Sequence, residues 1–203
     1  MESISPKSAA SWNEPRVSDC ACWSRPSTRS FKFAVPSEGP RYHDILKRLA
    51  DEGVEAIVVG MVSAVLQGVP VMTWDLDIVH RRSPENGARL LKVLADLHAT
   101  ARRDPRRLTP NETHLIGPGH VLLETRFGDF DCLGAIDGGR AYEDLLESTV
   151  IIDFDGRPLR VLELHEVLAI KTRAGRPKDL AAIPYIQSTL DEIERGSREK
   201  GEN

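Results

Sequence analysis

The chain has 203 residues, with 27 Lys and Arg against 31 Asp and Glu and a formal net charge of −4. Hydrophobic residues make up 40% and charged residues 29%, a globular mix sufficient for one domain plus some extra chain. The acidic balance excludes a binder that works by blanketing phosphates with charge, and no apolar run approaches the ~20 residues of a membrane helix. The start of the chain lacks the apolar core of a secretory signal. Of the three cysteines, Cys20 and Cys22 are too close for an ordinary disulfide loop, and Cys132 stands alone. Reduced thiols in a cytoplasmic protein are expected, with no membrane partner.

Residues 1–40 hold nine Ser, five Pro and one Gly, with Trp12, Trp23, Phe31 and Phe33 scattered without a period. Such a segment buries too little to offset its ordering entropy, and a disordered N-terminal tail is expected. Order should begin at Arg41. Tyr42, Ile45, Leu46 and Leu49 recur at helical spacing, and Gly53 supplies a stop. Ala56 to Val59 is a short apolar strand ending at Gly60, and Met61 to Gln67 reads as a helix closed by Gly68. The run Met72 to His80 alternates, with Trp74, Leu76 and Ile78 on one face and Thr73, Asp75, Asp77 and Val79 on the other. Ser83-Pro84-Glu85 is a helix start, followed by Leu90, Leu91, Val93, Leu94 and Leu97.

Residues 99–112 read as a polar loop whose arginines, Arg102, Arg103, Arg106 and Arg107, could grip RNA or a triphosphate; a solvated loop, partly balanced by Asp104, is the preferred reading. Three strands are expected next, near Thr113–Ile116, Val121–Phe127 and Asp129–Leu133, then a helix from Tyr142 to Leu146. Val150–Phe154 and Leu159–Leu162 flank Asp155-Gly156, a hairpin signal. Two helices close the domain, Leu164 to about Arg173 and about Lys178 to Ile193, parted by Gly175-Arg176-Pro177. The expected architecture is α/β (α+β): a mixed β-sheet flanked by helices over residues 41–195, with two C-terminal helices and a disordered C-terminal tail at 196–203.

The strongest chemical signal is Asp75-Leu76-Asp77-Ile78. Residues i and i+2 of a strand share a face about 6.5–7 Å apart, so two such carboxylates can converge on divalent cations. By itself this alternation also fits the wet face of a sheet. Upstream, a strand ends at Gly60 and a helix starts at once, so backbone N–H groups can face an anion. Downstream, Asp131 lies between Phe130 and Cys132 on another apolar strand, where a third carboxylate can complete a metal cage or take a proton from a hydroxyl. Asp129 reads as a turn residue after Gly128. The six histidines show no metal-ligand spacing.

A strand ending in Gly, a spacer, Asp-x-Asp on the next strand and a lone Asp on a later one resembles the signature of the polymerase-β-like nucleotidyltransferase superfamily. Here it reads Val58-Val59-Gly60-Met61, thirteen residues, Asp75-Leu76-Asp77-Ile78, and Phe130-Asp131-Cys132. Residues 41–195 resemble its small bacterial members, including abortive-infection type nucleotidyltransferase toxins and minimal nucleotidyltransferases. Leu168-Ala169-Ile170-Lys171 through Gly175-Arg176-Pro177-Lys178-Asp179-Leu180 looks like the Lys and Arg-x-Lys-Asp signature that closes many such domains.

The resemblance implies Mg²⁺-dependent transfer of a nucleoside monophosphate from a nucleoside triphosphate to a hydroxyl on RNA, a protein or a small molecule, in a toxin–antitoxin or phage-defence setting. It implies two Mg²⁺ ions, replaceable by Mn²⁺, on Asp75, Asp77 and Asp131, with Asp131 also helping to deprotonate the acceptor. Gly60, Met61 and Ser63 would contact the triphosphate, and Lys171 and Lys178 would stabilise its charge. One position departs from the pattern. Met61 stands where a second small residue is usual, and its side chain is expected to obstruct the triphosphate. The competing expectation is a non-catalytic module of the same fold that holds a partner, such as the other half of a toxin–antitoxin pair.

Overall fold

A computed structural model describes residues 41–201. The expected N-terminal tail, with Cys20, Cys22 and its four aromatics, lies outside the described residues. The elements run α1 (Tyr42–Asp51), β1 (Ala56–Val59), α2 (Gly60–Leu66), β2 (Asp75–His80), α3 (Pro84–Asp96), β3 (Thr100–Ala101) and α4 (Glu112–Ile116). Then come β4 (Val121–Thr125), β5 (Gly128–Leu133), α5 (Tyr142–Leu145) with a 3₁₀ turn at Leu146–Ser148, β6 (Thr149–Phe154), β7 (Arg157–Leu162), α6 (Leu164–Ala174) and α7 (Pro177–Gly201). The strands form one mixed sheet in the order β3-β4-β5-β2-β1-β7-β6. The pairs β2–β5 and β1–β7 are parallel and the others antiparallel.

Period-two alternation sorts the strand residues between two cores. Val58, Leu76, Ile78, Phe130 and Cys132 face a core closed by Ile45, Leu46 and Leu49 of α1, by Leu90, Val93 and Leu94 of α3 and by Leu97 just after it. Ile57, Val59, Val79 and Leu162 face the other, closed by Ala64 of α2, Leu145 of α5, Leu164 and Val167 of α6, and Ile186 and Leu190 of α7. Each fully buried Leu or Ile contributes about 1.5–3 kcal/mol relative to exposure, so the two layers together fix the sheet. On the second face the helices cover β1 and β7, while Leu122 on β4 is exposed. Asp75, Asp77, Asp129 and Asp131 lie on that face by the same alternation.

Four expectations change. Residues 113–116 are helical because Asn111 caps them: its side chain accepts from the His114 N–H at 3.1 Å, and the Asn111 N–H donates to His114 Nδ1 at 3.3 Å. This local capping outweighs the apolar alternation. Strand β2 starts at Asp75 rather than Met72, because β1 has only four residues and pairs only with Asp77–His80. Met72 and Trp74 are left outside the sheet, 72% and 64% exposed. Thr100 and Ala101 of the expected polar loop form an edge strand on β4. Finally, α7 continues past Ile193 to Gly201, with Pro184 inside it.

Among the described residues no helix is long and apolar enough to cross a membrane. Cys132 is a buried free thiol.

Candidate active site

The site begins where β1 runs into α2. Gly60 has φ +65°, in the left-handed region that disfavours side chains, and a Cβ there would lie 2.5 Å from Asp77 Oδ2. Glycine at this junction lets the backbone approach the carboxylate. Val59 pairs with Asp77 across β1 and β2, which brings the junction beside the acids.

Strands β2 and β5 run parallel in the register Asp75↔Asp129 and Asp77↔Asp131. Neighbouring strands are about 4.8 Å apart, so the four carboxylates form a two-by-two array on one face. At ~5–7 Å and an effective dielectric of about 20, each pair of charges repels by about 2–3 kcal/mol, more than the 1.4 kcal/mol of one pKa unit. The array responds accordingly. Burial, then the charges of Asp75 and Asp131, push Asp77 up to about 7, against the pull of Lys178 and Arg102. Burial also raises Asp131, opposed by Arg102 and by the Leu123 N–H. Asp75 is steadied by Thr73, whose Oγ1 donates to Asp75 Oδ1 at 3.1 Å, and the Tyr42 hydroxyl donates to the Thr73 carbonyl at 3.0 Å.

Arg102 follows the edge strand β3 directly and reaches into this array. Its Nη2 donates to Asp131 Oδ1, and its Nε lies 3.2 Å from Asp129 Oδ2. The guanidinium is also held by the Leu123 carbonyl, 3.1 Å from Nη2 and 3.3 Å from Nε. Arg102 is thus part of the site rather than a solvated loop residue, and Asp129 is a strand residue rather than a turn. A two-residue strand carries no readable period, so the sequence marks Arg102 as one of four loop arginines but not as the one that reaches the acids. Asp129 did leave one, because Asp129-Phe130-Asp131 repeats the alternation of Asp75-Leu76-Asp77.

The acids share a cleft of about 670 Å³ with cations from α6, α7 and the link between them. Gly60, Asp75, Asp77 and Asp131 line it, as do Lys171, Arg173, Arg176 and Lys178. Most of these cations are committed. Lys171 Nζ donates to Asp179 Oδ1 at 2.9 Å, Arg176 donates to Asp179 Oδ2, and Arg173 holds Asp137 and Glu166. Burial alone would raise the Asp179 pKa, but the hydrogen bonds from Lys171 and Arg176 outweigh it and hold the carboxyl below its ordinary range. Lys178 is exposed and forms no ion pair with a described residue.

Met61 and Ser63 do not line the cleft. Ser63 is fully buried, and its hydroxyl donates to the Gly60 carbonyl at 2.8 Å, bracing the turn instead of facing a ligand. Met61 packs against the second core, so its side chain does not stand in the cleft as an obstruction.

No protein-family model matches the sequence, and no curated protein matches it. Among solved structures, that of the lincosamide antibiotic adenylyltransferase LnuA with lincomycin bound superposes with a TM-score of 0.52. The match covers 74% of this chain and 98% of that one at 13% identity. This chain has a nucleotidyltransferase fold. Two weaker likenesses accompany it. A Thermotoga maritima protein described as a candidate nucleotidyltransferase gives TM-score 0.45 and 20% identity, over 74% of this chain and 91% of that one. The antibiotic-resistance factor ANT(2'')-Ia gives TM-score 0.47 and 13% identity, over 78% and 90%.

The donor chemistry of the site fits the expected divalent metal in part. Asp75 and Asp77 are hard oxygen donors on the cleft wall, suited to Mg²⁺. Asp131 offers less, because its Oδ1 already accepts from Arg102 and from the Leu123 N–H at 3.4 Å. Among the described residues no group of three or more His, Cys, Asp and Glu is arranged to hold a metal ion.

Proposed function

We propose that this protein transfers a nucleoside monophosphate from a nucleoside triphosphate to a hydroxyl acceptor, releasing pyrophosphate, in a Mg²⁺-dependent reaction. The observation that carries the reading is one cleft lined together by Gly60, by the Asp75–Asp77 pair and by Lys178, which has no ion-pair partner among the described residues. Asp75 and Asp77 would hold Mg²⁺, which when bound supplies positive charge to the phosphate oxygens. The missing side chain at Gly60 lets the backbone turn come up against the Asp77 carboxylate and so sets where that acid stands. Lys178 would meet the charge that develops on the departing pyrophosphate, a role that needs only a reachable cation. Lys171 acts through Asp179, holding the start of α7 and with it Lys178 in place. Asp131 Oδ2, the oxygen that Arg102 leaves free, would orient the acceptor hydroxyl and take its proton.

The acceptor is set by surfaces beyond the acids, so RNA, protein and small molecules are all offered in the test. The protein is incubated with each labelled nucleoside triphosphate and Mg²⁺, in the presence of total RNA, cell protein or a small-molecule extract. Transfer of label to one fraction, lost with Asp75→Asn and Asp77→Asn, is the expected result.

A second reading is favoured by one observation, the engagement of Asp131 by Arg102. On it the fold binds nucleotide or a partner, such as the other half of a toxin–antitoxin pair, without turnover. Nucleotide that binds but never transfers to any fraction would decide for this alternative.

A further inference from the structure

We propose that Arg102 occupies the place of a second divalent cation at Asp131, so that the cleft holds one metal ion on Asp75 and Asp77 rather than two. The inference rests on the reading of the cleft as a metal–nucleotide site and adds what that reading leaves open: how many ions it takes and what replaces the missing one.

The acidic array is electrostatically lopsided. Asp129 and Asp131, the pair on β5, share one guanidinium through its Nε and Nη2. Asp75 and Asp77, the pair on β2, have no ion-pair partner among the described residues. Arg102 reaches β5 because its backbone N–H donates to the Leu122 carbonyl at 2.9 Å, which registers the residue beside β4. The side chain then crosses β4 under the Leu123 carbonyl and ends on Asp131. Its exposure is 18%, and that of the Asp131 side chain is 9%.

A bridging metal ion would need an Asp131 oxygen at about 2.0–2.1 Å, in the space where the guanidinium now donates. An arginine cannot vacate that space by losing its proton, since it stays charged at any pH a protein survives. It can leave only by breaking its contacts with Asp131, Asp129 and Leu123 together. The guanidinium also does part of what a second ion does, bringing fixed positive charge to the carboxylate that faces the acceptor. It differs in offering no open coordination position, so the acceptor hydroxyl meets Asp131 directly.

The test counts bound ions. Mn²⁺ binding is measured by electron paramagnetic resonance with the full chain saturated with an α,β-methylene nucleoside triphosphate. Wild type should bind one Mn²⁺ per chain. Arg102→Met, which keeps the stem but frees Asp129 and Asp131, should bind two. Asp131→Asn should leave the count at one, and it keeps the test decisive if Arg102→Met folds poorly by circular dichroism. Two ions on the wild type, or a count that falls with Asp131→Asn, would overturn the inference while leaving the function standing. No Mn²⁺ on the wild type or Arg102→Met would remove both.

Discussion

Gly60 and Asp77 approach so closely that a methyl group on Gly60 would sit 2.5 Å from the Asp77 carboxylate oxygen, at a backbone φ of +65°. Gly60 opens α2 directly after β1, and its proximity to Asp77 on β2 follows from the Val59↔Asp77 register. Gly60→Ala should therefore cost about 1–2 kcal/mol for the left-handed backbone and displace the Asp77 carboxylate as well. We expect a lower melting temperature and at least a tenfold loss of Mn²⁺ affinity. A variant with normal metal affinity would show that the contact does not shape the site.

The protonation of Asp77 gives a pH signature. Its ordinary value is 3.8, and burial with the charges of Asp75 and Asp131 lifts it to about 7 in the fold. Between those values the folded state keeps a proton that the unfolded state has lost. The contribution of Asp77 is thus fully present below about 3.8 and is lost as pH rises through about 7. The stability of wild type relative to Asp77→Asn should fall across this window, as read by denaturant titration at several pH values. A difference that rises with pH would give the opposite sign and contradict the assignment. Mn²⁺ must displace the same proton, so its affinity should increase over the same range.

Lys171 is tied to Asp179, whose side chain is 1% exposed, and its own is 12% exposed. Removing one partner of a buried pair costs about 3–5 kcal/mol, and the remaining Arg176 contact should place Lys171→Met near the lower end. Nucleotide affinity should fall less than in Lys178→Met, because Lys178 has no such obligation. Equal stability of Lys171→Met and wild type would make the pair dispensable.

Much of this arrangement is legible in the sequence, for physical reasons that also mark where legibility stops. Alternation in Asp75-Leu76-Asp77-Ile78 separates Leu76 and Ile78, buried in one core, from two acids on the opposite face. The Asp155-Gly156 turn fixes the β6–β7 hairpin, and Ser83 caps α3 by accepting from the Asn86 N–H at 3.2 Å. Which of the four loop arginines reaches Asp131 is not legible, because the place of Arg102 depends on a two-residue strand and on β4 lying between it and Asp131. The obstruction expected of Met61 does not arise, because sequence gives its position after Gly60 but not the direction in which it packs.

Asn86 supplies a control away from the chemistry. Fully buried, its Oδ1 accepts from the Glu55 N–H at 2.8 Å, and its Nδ2 donates to the carbonyls of Glu55 at 2.9 Å and Arg81 at 2.8 Å. Asn86→Ala leaves the part-buried hydrogen bonds of the Glu55 N–H and the Arg81 carbonyl unmade, each worth about 1–3 kcal/mol, while the Glu55 carbonyl keeps the Arg81 N–H. The variant should unfold at clearly lower denaturant concentration. Its Mn²⁺ affinity in the folded state should match that of wild type. A selective loss of metal affinity with stability intact would mean that the two regions are coupled in a way the fold does not indicate.

Calorimetric titration with an α,β-methylene nucleoside triphosphate bears most directly on the cleft as a metal–nucleotide site. Wild type should bind the analogue with Mn²⁺ present and weaken at least tenfold in chelator, while Asp75→Asn/Asp77→Asn should show the weak affinity under both conditions. Binding that is equally tight with and without Mn²⁺, or unchanged in the double variant, would contradict the account.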